Sequence, residues 1–183
     1  PDNRSNPSDG QPGADVFPYV ATTYRLTEHH TAGGMTRTVE HLSELQPEMF
    51  CEVSPELAKE RGLKNGGWAT VVTTRSAIEA RVLVTDRIAP LKTQGRAVHT
   101  VGLPYHWGRK GVVTGDAANE LLPVVLDSNV HIGEYKAATC DIRPGRRPRG
   151  PALVEFVEDY RRRAKVEEPV RRFHRRLEDQ NGG

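Results

Sequence analysis

The densest group of polar side chains runs from Thr22 to Arg37, directly after an alternating segment that predicts a β-strand. It combines threonine hydroxyls, two arginines, two histidines and the Gly33–Gly34 pair. Hydroxyls and glycine-exposed amides donate hydrogen bonds to phosphate oxygens, and Arg25 and Arg37 can add charge-assisted bonds. The segment therefore predicts an anion-binding loop, with an ordinary polar surface loop as the alternative.

Two further polar groups follow later in the chain. Glycine and proline bracket Tyr105–Trp107, which favours a tight loop that brings His106 and Trp107 against a flat group. A tryptophan packed in the domain core is the alternative. Tyr135–Lys136 precedes the last predicted strand. Because all three groups stand at predicted strand ends, we expect them to converge on one face.

The histidines and cysteines give little sign of a metal site. Adjacent His29 and His30 have no carboxylate or thiol partner at ligand spacing. Cys51 and Cys140 each lie in a short alternating run typical of a strand, which predicts buried thiols. One disulfide between them stays open, whereas a disulfide framework would need more cysteines.

The elements that must position these residues are mostly short strands. Residues 68–74 and 77–84 predict a hairpin with one buried face, joined across Arg75–Ser76. A short helix is predicted after Ser54, which precedes a first-turn proline, with Gly62 as the stop. Further strands are predicted at Tyr19–Tyr24, Phe50–Val53, Arg96–Leu103 and Ala137–Ile142, and helical turns at Val39–Leu45 and Asp116–Leu122.

The overall composition is that of a globular domain. The 183 residues carry a net charge of +2 and are 36% hydrophobic and 27% charged, which excludes collagen, coiled coil and wholesale disorder. No apolar run reaches the length of a membrane span, and no signal peptide is recognisable. The chain opens at Pro1 without methionine, which favours a processed product or a piece of a longer protein. Its localisation, cytoplasmic or at the outer face of the cytoplasmic membrane, depends on what precedes it.

Composition changes at both ends of the chain. Residues 1–15 are rich in turn formers and predict a linker. Residues 16–142 predict one β domain and residues 143–183 predict a basic tail. The first 142 residues carry a net charge of −3 and the tail carries +5. An amphipathic helix that docks on a neighbour is predicted in the tail from Leu153, Phe156, Val157, Tyr160 and Ala164, and a second, weaker helix from Val170, Phe173 and Leu177.

Five segments together resemble the C-terminal molybdopterin-dinucleotide-binding domain of formate dehydrogenase catalytic (alpha) subunits, in the dimethyl sulfoxide reductase family. They are Thr22–His29, Leu45–Phe50, Val101–Gly108, Ala118–Asn119 with Pro123, and Glu134–Ala137. Their order and approximate spacing agree over residues 16–142. The resemblance implies a mainly β fold with short helices, a six-stranded double-psi β-barrel, followed here by the C-terminal amphipathic helix.

The resemblance also implies a cofactor and its contacts. The barrel would cover a bis-molybdopterin guanine dinucleotide with Mo or W, during oxidation of formate to carbon dioxide. The implied contacts are Thr22, Thr23, Arg25, Thr27, Glu28, His29, His30, Asn119, Tyr135 and Lys136. Arg25 and Lys136 would neutralise the pyrophosphate. Met35, Thr36 and Arg37 continue a loop that varies within the family.

The resemblance places the catalytic residues outside this chain. Neither Cys51 nor Cys140 matches the family's metal ligand, so no catalytic or metal-ligating residue is predicted here and the isolated chain is expected to be inactive. The implied partners are the remaining domains of the catalytic subunit and an iron–sulfur electron-transfer subunit.

Two alternatives remain open at this point. Another oxidoreductase of the same family, such as a nitrate reductase, would share this domain. A stand-alone interaction or nucleic-acid-binding protein would use the Arg-rich tail, in which Arg146, Arg147 and Arg149 form a cluster suited to phosphates. The seven acids and the apolar stripe of the tail argue against that second alternative.

Overall fold

The computed structural model describes residues 13–165, apart from positions 94, 125, 128 and 134. Most of the predicted linker and the whole of the second, weaker tail helix lie outside these residues. Within the described residues, no helix is long and apolar enough to cross a membrane.

Short strands dominate the described residues. The strands are β1 Tyr19–Tyr24, β2 Phe50–Val53, β3 Trp68–Val72, β4 Ala77–Val84, β5 Leu91–Thr93, β6 Arg96–Val98, β7 Thr100–Pro104 and β8 Ala137–Pro144. The helices are α1 Glu40–Leu45, α2 Pro55–Arg61 and α3 Pro151–Arg163, with 3₁₀ turns at Thr36–Thr38 and Ala118–Glu120.

Six of the strands close into a barrel in the order β1-β7-β2-β4-β3-β8. The pairs β1–β7 and β2–β4 are parallel, and the other neighbours in the barrel are antiparallel. Closure pairs every barrel strand on both sides, so this sheet has no open edge. The predicted mainly β, six-stranded barrel with short helices and a C-terminal helix is confirmed.

The barrel interior is filled by small and β-branched side chains. Val53, Val71, Ile78 and Val101 are fully buried there, as the alternation along each strand requires. Cys51 and Cys140 are free thiols in the same core. Burial raises the pKa of Cys51 to about 12. The prediction of plain buried thiols is confirmed.

Local signals place α2 where the sequence predicted a helix. Ser54 accepts a hydrogen bond at its hydroxyl from the Leu57 N–H (3.2 Å), Pro55 opens the first turn, and Gly62 ends the helix with a φ of +65°. The left-handed conformation favours glycine at that position.

Three local predictions differ in detail from the structure. The strand predicted over Arg96–Leu103 breaks at His99, because β6 pairs with β5 in a separate ribbon while β7 enters the barrel. The helical turn predicted over Asp116–Leu122 is present as a 3₁₀ turn with narrower bounds, Ala118–Glu120. The β3–β4 hairpin is buried on both faces, because Glu79 is covered by arginines from the segment after β8.

Helix α3 docks on the barrel, as its apolar stripe predicted. Val157, Tyr160 and Ala164 are buried in one cluster with Phe17 and Val72. The Tyr160 hydroxyl donates to Asp141 of β8 (2.8 Å). The helix thereby holds the segment that enters β1 against the β3–β4 hairpin.

Candidate functional site

The three polar groups meet where β1 and β7 end and β8 begins, a region that we call the β1–β7–β8 rim. Parallel pairing sets Tyr24 beside Pro104, and antiparallel pairing sets Thr22 beside Ala137. The Thr23 N–H donates to the carbonyl of Lys136 (2.9 Å). The expected convergence of the three groups is therefore confirmed by backbone contacts.

Tyr105 links two predicted contacts across this rim. The guanidinium carbon of Arg25 lies 4.1 Å from the centroid of the Tyr105 ring, and the Asn119 side-chain amide donates to the Tyr105 hydroxyl (2.8 Å). The Tyr105 N–H donates to the carbonyl of Tyr24 (3.0 Å). The ring thus supports a cation on its face and an amide at its edge. Tyr105 was not among the predicted contacts. Its position directly after a predicted strand, like that of the other polar residues at strand ends, could have identified it from the sequence.

The predicted contacts differ in how much of each side chain reaches solvent. Arg25, Thr27, His30, Asn119, Tyr135 and Lys136 are exposed, whereas Thr22, Thr23 and Glu28 are partly buried. Glu28 lines a cleft of about 470 Å³ with Leu26, Phe50, Leu83 and Arg87, and none of the exposed contacts lines that cleft.

His29 is buried rather than presented to solvent. Its Nε2 lies 3.0 Å from the carbonyl oxygen of Gln46 and its Nδ1 lies 3.2 Å from the Thr36 hydroxyl. Its ring also packs edge-on against Trp107, with centroids 5.3 Å apart. In this structure both ring nitrogens are therefore engaged within the protein, and a cofactor contact by His29 stays a prediction.

His106 fixes the polar loop after β1 to the end of β7. Its Nδ1–H donates to the carbonyl of Thr31 (2.5 Å), so its Nε2 is the acceptor for the N–H of Leu26 (2.7 Å). Burial lowers the pKa of His106 and outweighs the hydrogen bond to Thr31, which raises it. A neutral imidazole in one tautomer is what this pair of bonds requires.

Trp107 and Arg37 hold the loops from the inside. Trp107 is in the core against Phe50, so the packed alternative is confirmed for this tryptophan. Arg37, which we considered as an anion ligand, is buried and donates to main-chain carbonyls of the second polar group. These carbonyls belong to His106 (2.9 Å), Gly108 (3.3 Å), Lys110 and Val113 (3.0 Å). Both residues shape the site without facing it.

The arginine cluster after β8 is paired with internal carboxylates. Arg146 and Arg149 donate to the same oxygen of buried Glu79 (2.7 and 2.6 Å), and Arg147 donates to both oxygens of Asp116 (2.6 and 2.8 Å). Burial opposes ionisation of these acids, but the arginine hydrogen bonds hold the pKa of each carboxyl below its usual value. The cluster's charges therefore serve an internal network, and the nucleic-acid alternative is not favoured.

Metal ligation by this chain has no geometric basis in the described residues. Within 13–165, apart from the four positions left out, no three His, Cys, Asp or Glu side chains are grouped so that they could hold a metal ion. The rim offers cations, hydroxyls and amides, which are groups that bind phosphate and heterocycle edges.

The family follows from a match that covers the barrel. The family model described as "Molydopterin dinucleotide binding domain" matches residues 19–139, from the first residue of β1 into β8. The chain belongs to this molybdopterin dinucleotide-binding domain family. The resemblance carried by the five sequence segments is thereby confirmed.

Two curated relatives of this chain are subunits of formate dehydrogenases. The formate dehydrogenase subunit alpha of Megalodesulfovibrio gigas is 46% identical over 125 residues, which cover 66% of this chain and 12% of that protein. The major subunit of the nitrate-inducible formate dehydrogenase of Escherichia coli K12 is 47% identical over 130 residues, which cover 70% of this chain and 12% of that protein. This chain thus spans about an eighth of the length of these relatives.

A solved structure supports the fold alone. Acetylene hydratase from Pelobacter acetylenicus superimposes with a TM-score of 0.53 and 16% identity, over 71% of this chain and 19% of that protein.

The rim of this molybdopterin dinucleotide-binding domain fits the group that the family name states. The Thr23 hydroxyl is buried and has no hydrogen-bond partner among the described residues, so it has an unused donor and acceptor at the rim. Exposed Arg25 and Lys136 are cations on two neighbouring strand ends. A pyrophosphate carries about two negative charges, which such cations neutralise.

Proposed function

We propose that this domain is part of a formate dehydrogenase catalytic subunit and covers its bis-molybdopterin guanine dinucleotide cofactor, with Mo or W, during oxidation of formate to carbon dioxide. The observation that carries the proposal is the β1–β7–β8 rim, where exposed cations and polar side chains meet in a molybdopterin dinucleotide-binding domain. The names of the relatives that are 46% and 47% identical support formate as the substrate.

The side chains at the rim would divide the work of binding by their chemistry. Arg25 and Lys136 would neutralise the pyrophosphate, and the hydroxyls of Thr22, Thr23 and Thr27 would donate to its remaining oxygens. Asn119 offers a donor and an acceptor to a heterocycle edge. When bound, the cofactor supplies the redox centre that takes up the two electrons of formate oxidation.

Predicted contacts with aromatic or acidic side chains complete the proposed site. Tyr135 and His30 are exposed near the rim and can lie along the pterin edge, while Glu28 and His29 stand in the loop that leads from β1. His106 and Arg37 do not touch the cofactor in this proposal; they fix that loop so that Arg25 stays on the Tyr105 ring. Positioning of this kind lowers the entropy cost of binding.

The proposed function requires partner domains, because this chain spans only a small part of the length of its relatives. A domain covering about 12% of an alpha subunit would rely on the remaining domains for the metal ligand and for the residues that act on formate. Electrons would leave through an iron–sulfur subunit. The nitrate reductase alternative gains no support from the relatives compared here, which are named formate dehydrogenases.

Substitution of the two rim cations tests the proposal. Arg25→Ala and Lys136→Ala in the full-length subunit should each weaken cofactor binding by about 1.5–3 kcal/mol, because a charge-assisted bond to an anion is lost. Pterin and metal content of the purified subunit is the measurement. Arg109→Ala is the matched control, since Arg109 is exposed, pairs with Glu120 and is not among the predicted contacts.

Two outcomes would overturn the proposal. Normal pterin and metal content in both rim variants would show that these cations do not hold the dinucleotide. A cofactor-loaded subunit that reduces dye with another substrate of the family and not with formate would reject the formate dehydrogenase assignment.

A further inference from the structure

Five large apolar side chains stand exposed in the connection between the 3₁₀ turn Ala118–Glu120 and β8. Their exposed fractions range from 52% to 78%. These residues, which we call the apolar connection, are Val124, Leu126, Val130, Ile132 and Tyr135. We infer that the apolar connection is a docking surface for the preceding domains of a longer catalytic subunit, at the edge of the cofactor-binding rim.

Hydrogen bonds hold part of this connection in a defined turn. The Asp127 carboxylate accepts from the N–H groups of Asn129 (2.8 Å) and Val130 (2.9 Å). The Asp127 N–H donates to the carbonyl of Ile132 (2.8 Å), and Leu126 forms a β-bridge with Gly133. Val130 and Ile132 therefore lie in a turn that these hydrogen bonds hold together.

The clustering of exposed apolar side chains is what points to a partner. Among the described residues, eleven large hydrophobic side chains are exposed, and five of these fall in this one connection. Single exposed apolar residues are normal, whereas a group of them marks an interaction surface, and these five lie within one short segment of the chain. Leaving such a group in water forgoes the burial that drives association.

The occupant follows from the relatives and from continuity with the rim. The relatives share 46% and 47% identity with this chain, yet it covers only 12% of their length, so most of each relative is polypeptide that this chain does not contain. Tyr135 directly precedes Lys136, whose carbonyl accepts from Thr23 at the rim. Docking there would place an apolar interface beside the cofactor. The inference thus rests on the proposed function, in which the cofactor lies between domains.

Side-chain footprinting of the full-length wild-type subunit tests the inference. Hydroxyl radicals oxidise accessible Leu, Ile and Tyr side chains, and the rate for each peptide is normalised to the same peptide in the urea-unfolded subunit. We expect severalfold protection of Leu126 and Ile132, although both are exposed in this chain. Protection should persist on dilution, because the partner surface belongs to the same polypeptide.

A pair of charge substitutions supplies the second measurement. Val130→Asp with Ile132→Asp should remove the protection of Leu126, since a carboxylate resists transfer into an apolar interface. Val154→Asp is the matched control, because Val154 is comparably exposed but lies on α3. It should leave the protection of Leu126 unchanged.

Three results would overturn the inference. The first is oxidation of these side chains at the unfolded rate in a pterin-containing subunit. The second is loss of protection on dilution, which would assign the surface to a second copy of the subunit. The third is unchanged protection in the double variant. The first of these would leave the proposed function standing. A protected connection in a subunit that never contains pterin would instead reject the proposed function and support the docking surface.

Discussion

His106 shows how one buried side chain sets the geometry of a neighbouring loop. Its two ring nitrogens form hydrogen bonds with the Leu26 N–H and the Thr31 carbonyl, which belong to a segment much earlier in the sequence. Because a protonated ring would lose its acceptor nitrogen, this pair of bonds requires the neutral form. Protonation of His106 would therefore break a hydrogen bond that holds the polar loop after β1, so the stability of this loop depends on pH.

This coupling predicts a pH dependence of stability. The unfolded chain protonates His106 below a pH near its ordinary pKa of 6.5, whereas the folded protein resists protonation because its pKa is lowered. The unfolded state then binds more protons, so the free energy of unfolding falls as the pH drops from 6.5 toward the folded pKa. His106→Gln should be less stable by about 1–3 kcal/mol at neutral pH, and this deficit should shrink as the pH falls.

Denaturant unfolding on both sides of pH 6.5 measures the effect. His41→Gln is the control, since His41 is exposed on α1 and its substitution should give a curve parallel to that of the wild type. A deficit for His106→Gln that stays constant with pH would show that His106 does not carry the dependence.

At the scale of elements, helix α3 packs on two parts of the barrel and holds them together. It lies outside the residues that define the family, 19–139, yet it packs on Phe17 before β1 and on Val72 at the end of β3. Arg161 adds hydrogen bonds to the carbonyls of Thr74 (2.6 Å) and Arg75 (3.1 Å) in the hairpin turn. The helix thus joins the beginning of the barrel to its most regular hairpin.

Removal of the central contact of α3 should destabilise the domain. Tyr160→Ala deletes a buried ring and the bond to Asp141, so we expect a loss of about 3–5 kcal/mol in the free energy of unfolding. Phe156→Ala should cost less, because Phe156 is only partly buried. Thermal or denaturant unfolding of the 183-residue chain is the measurement.

Arg162→Ala is the control for this prediction. The Arg162 side chain is exposed and forms a surface ion pair with Asp159 one turn earlier, so its loss should change stability by no more than about 0.5 kcal/mol. Equal effects of Tyr160→Ala and Arg162→Ala would contradict a docked α3.

At the scale of the whole molecule, the described residues leave the polar side chains of the rim exposed and hold several other charged groups inside the fold. Glu79 and Asp116 are paired with three arginines inside the fold. The two thiols are buried in the core. The polar side chains that remain exposed at the rim suit binding.

The isolated chain should therefore have no formate dehydrogenase activity. Formate-dependent reduction of a viologen dye, measured after incubation with the pterin cofactor, should equal the rate without protein. The full-length subunit assayed in parallel is the positive control. Turnover by the 183 residues alone would require a catalytic group that we have not recognised.

Signals that act between near neighbours determined much of the fold. The Ser54 cap, the Gly62 stop and the alternation along Ala77–Val84 predicted α2 and β4, because capping and strand burial depend on residues a few positions apart. The helical spacing from Leu153 to Ala164 likewise predicted both α3 and its apolar face. The barrel was predicted through the family that the five segments resemble, because their order and spacing along the chain are visible in the sequence.

Only the tertiary structure decided which polar residues face the rim and which support it. His29, Arg37 and His106 stand beside Arg25 and Tyr105 in sequence, but the first three are buried by partners on other segments. Arg37 reaches carbonyls about 70 positions away, and Arg146 pairs with Glu79 across 67 positions. Burial and pairing of this kind depend on how the closed barrel brings distant strand ends together, and no local pattern encodes that distance.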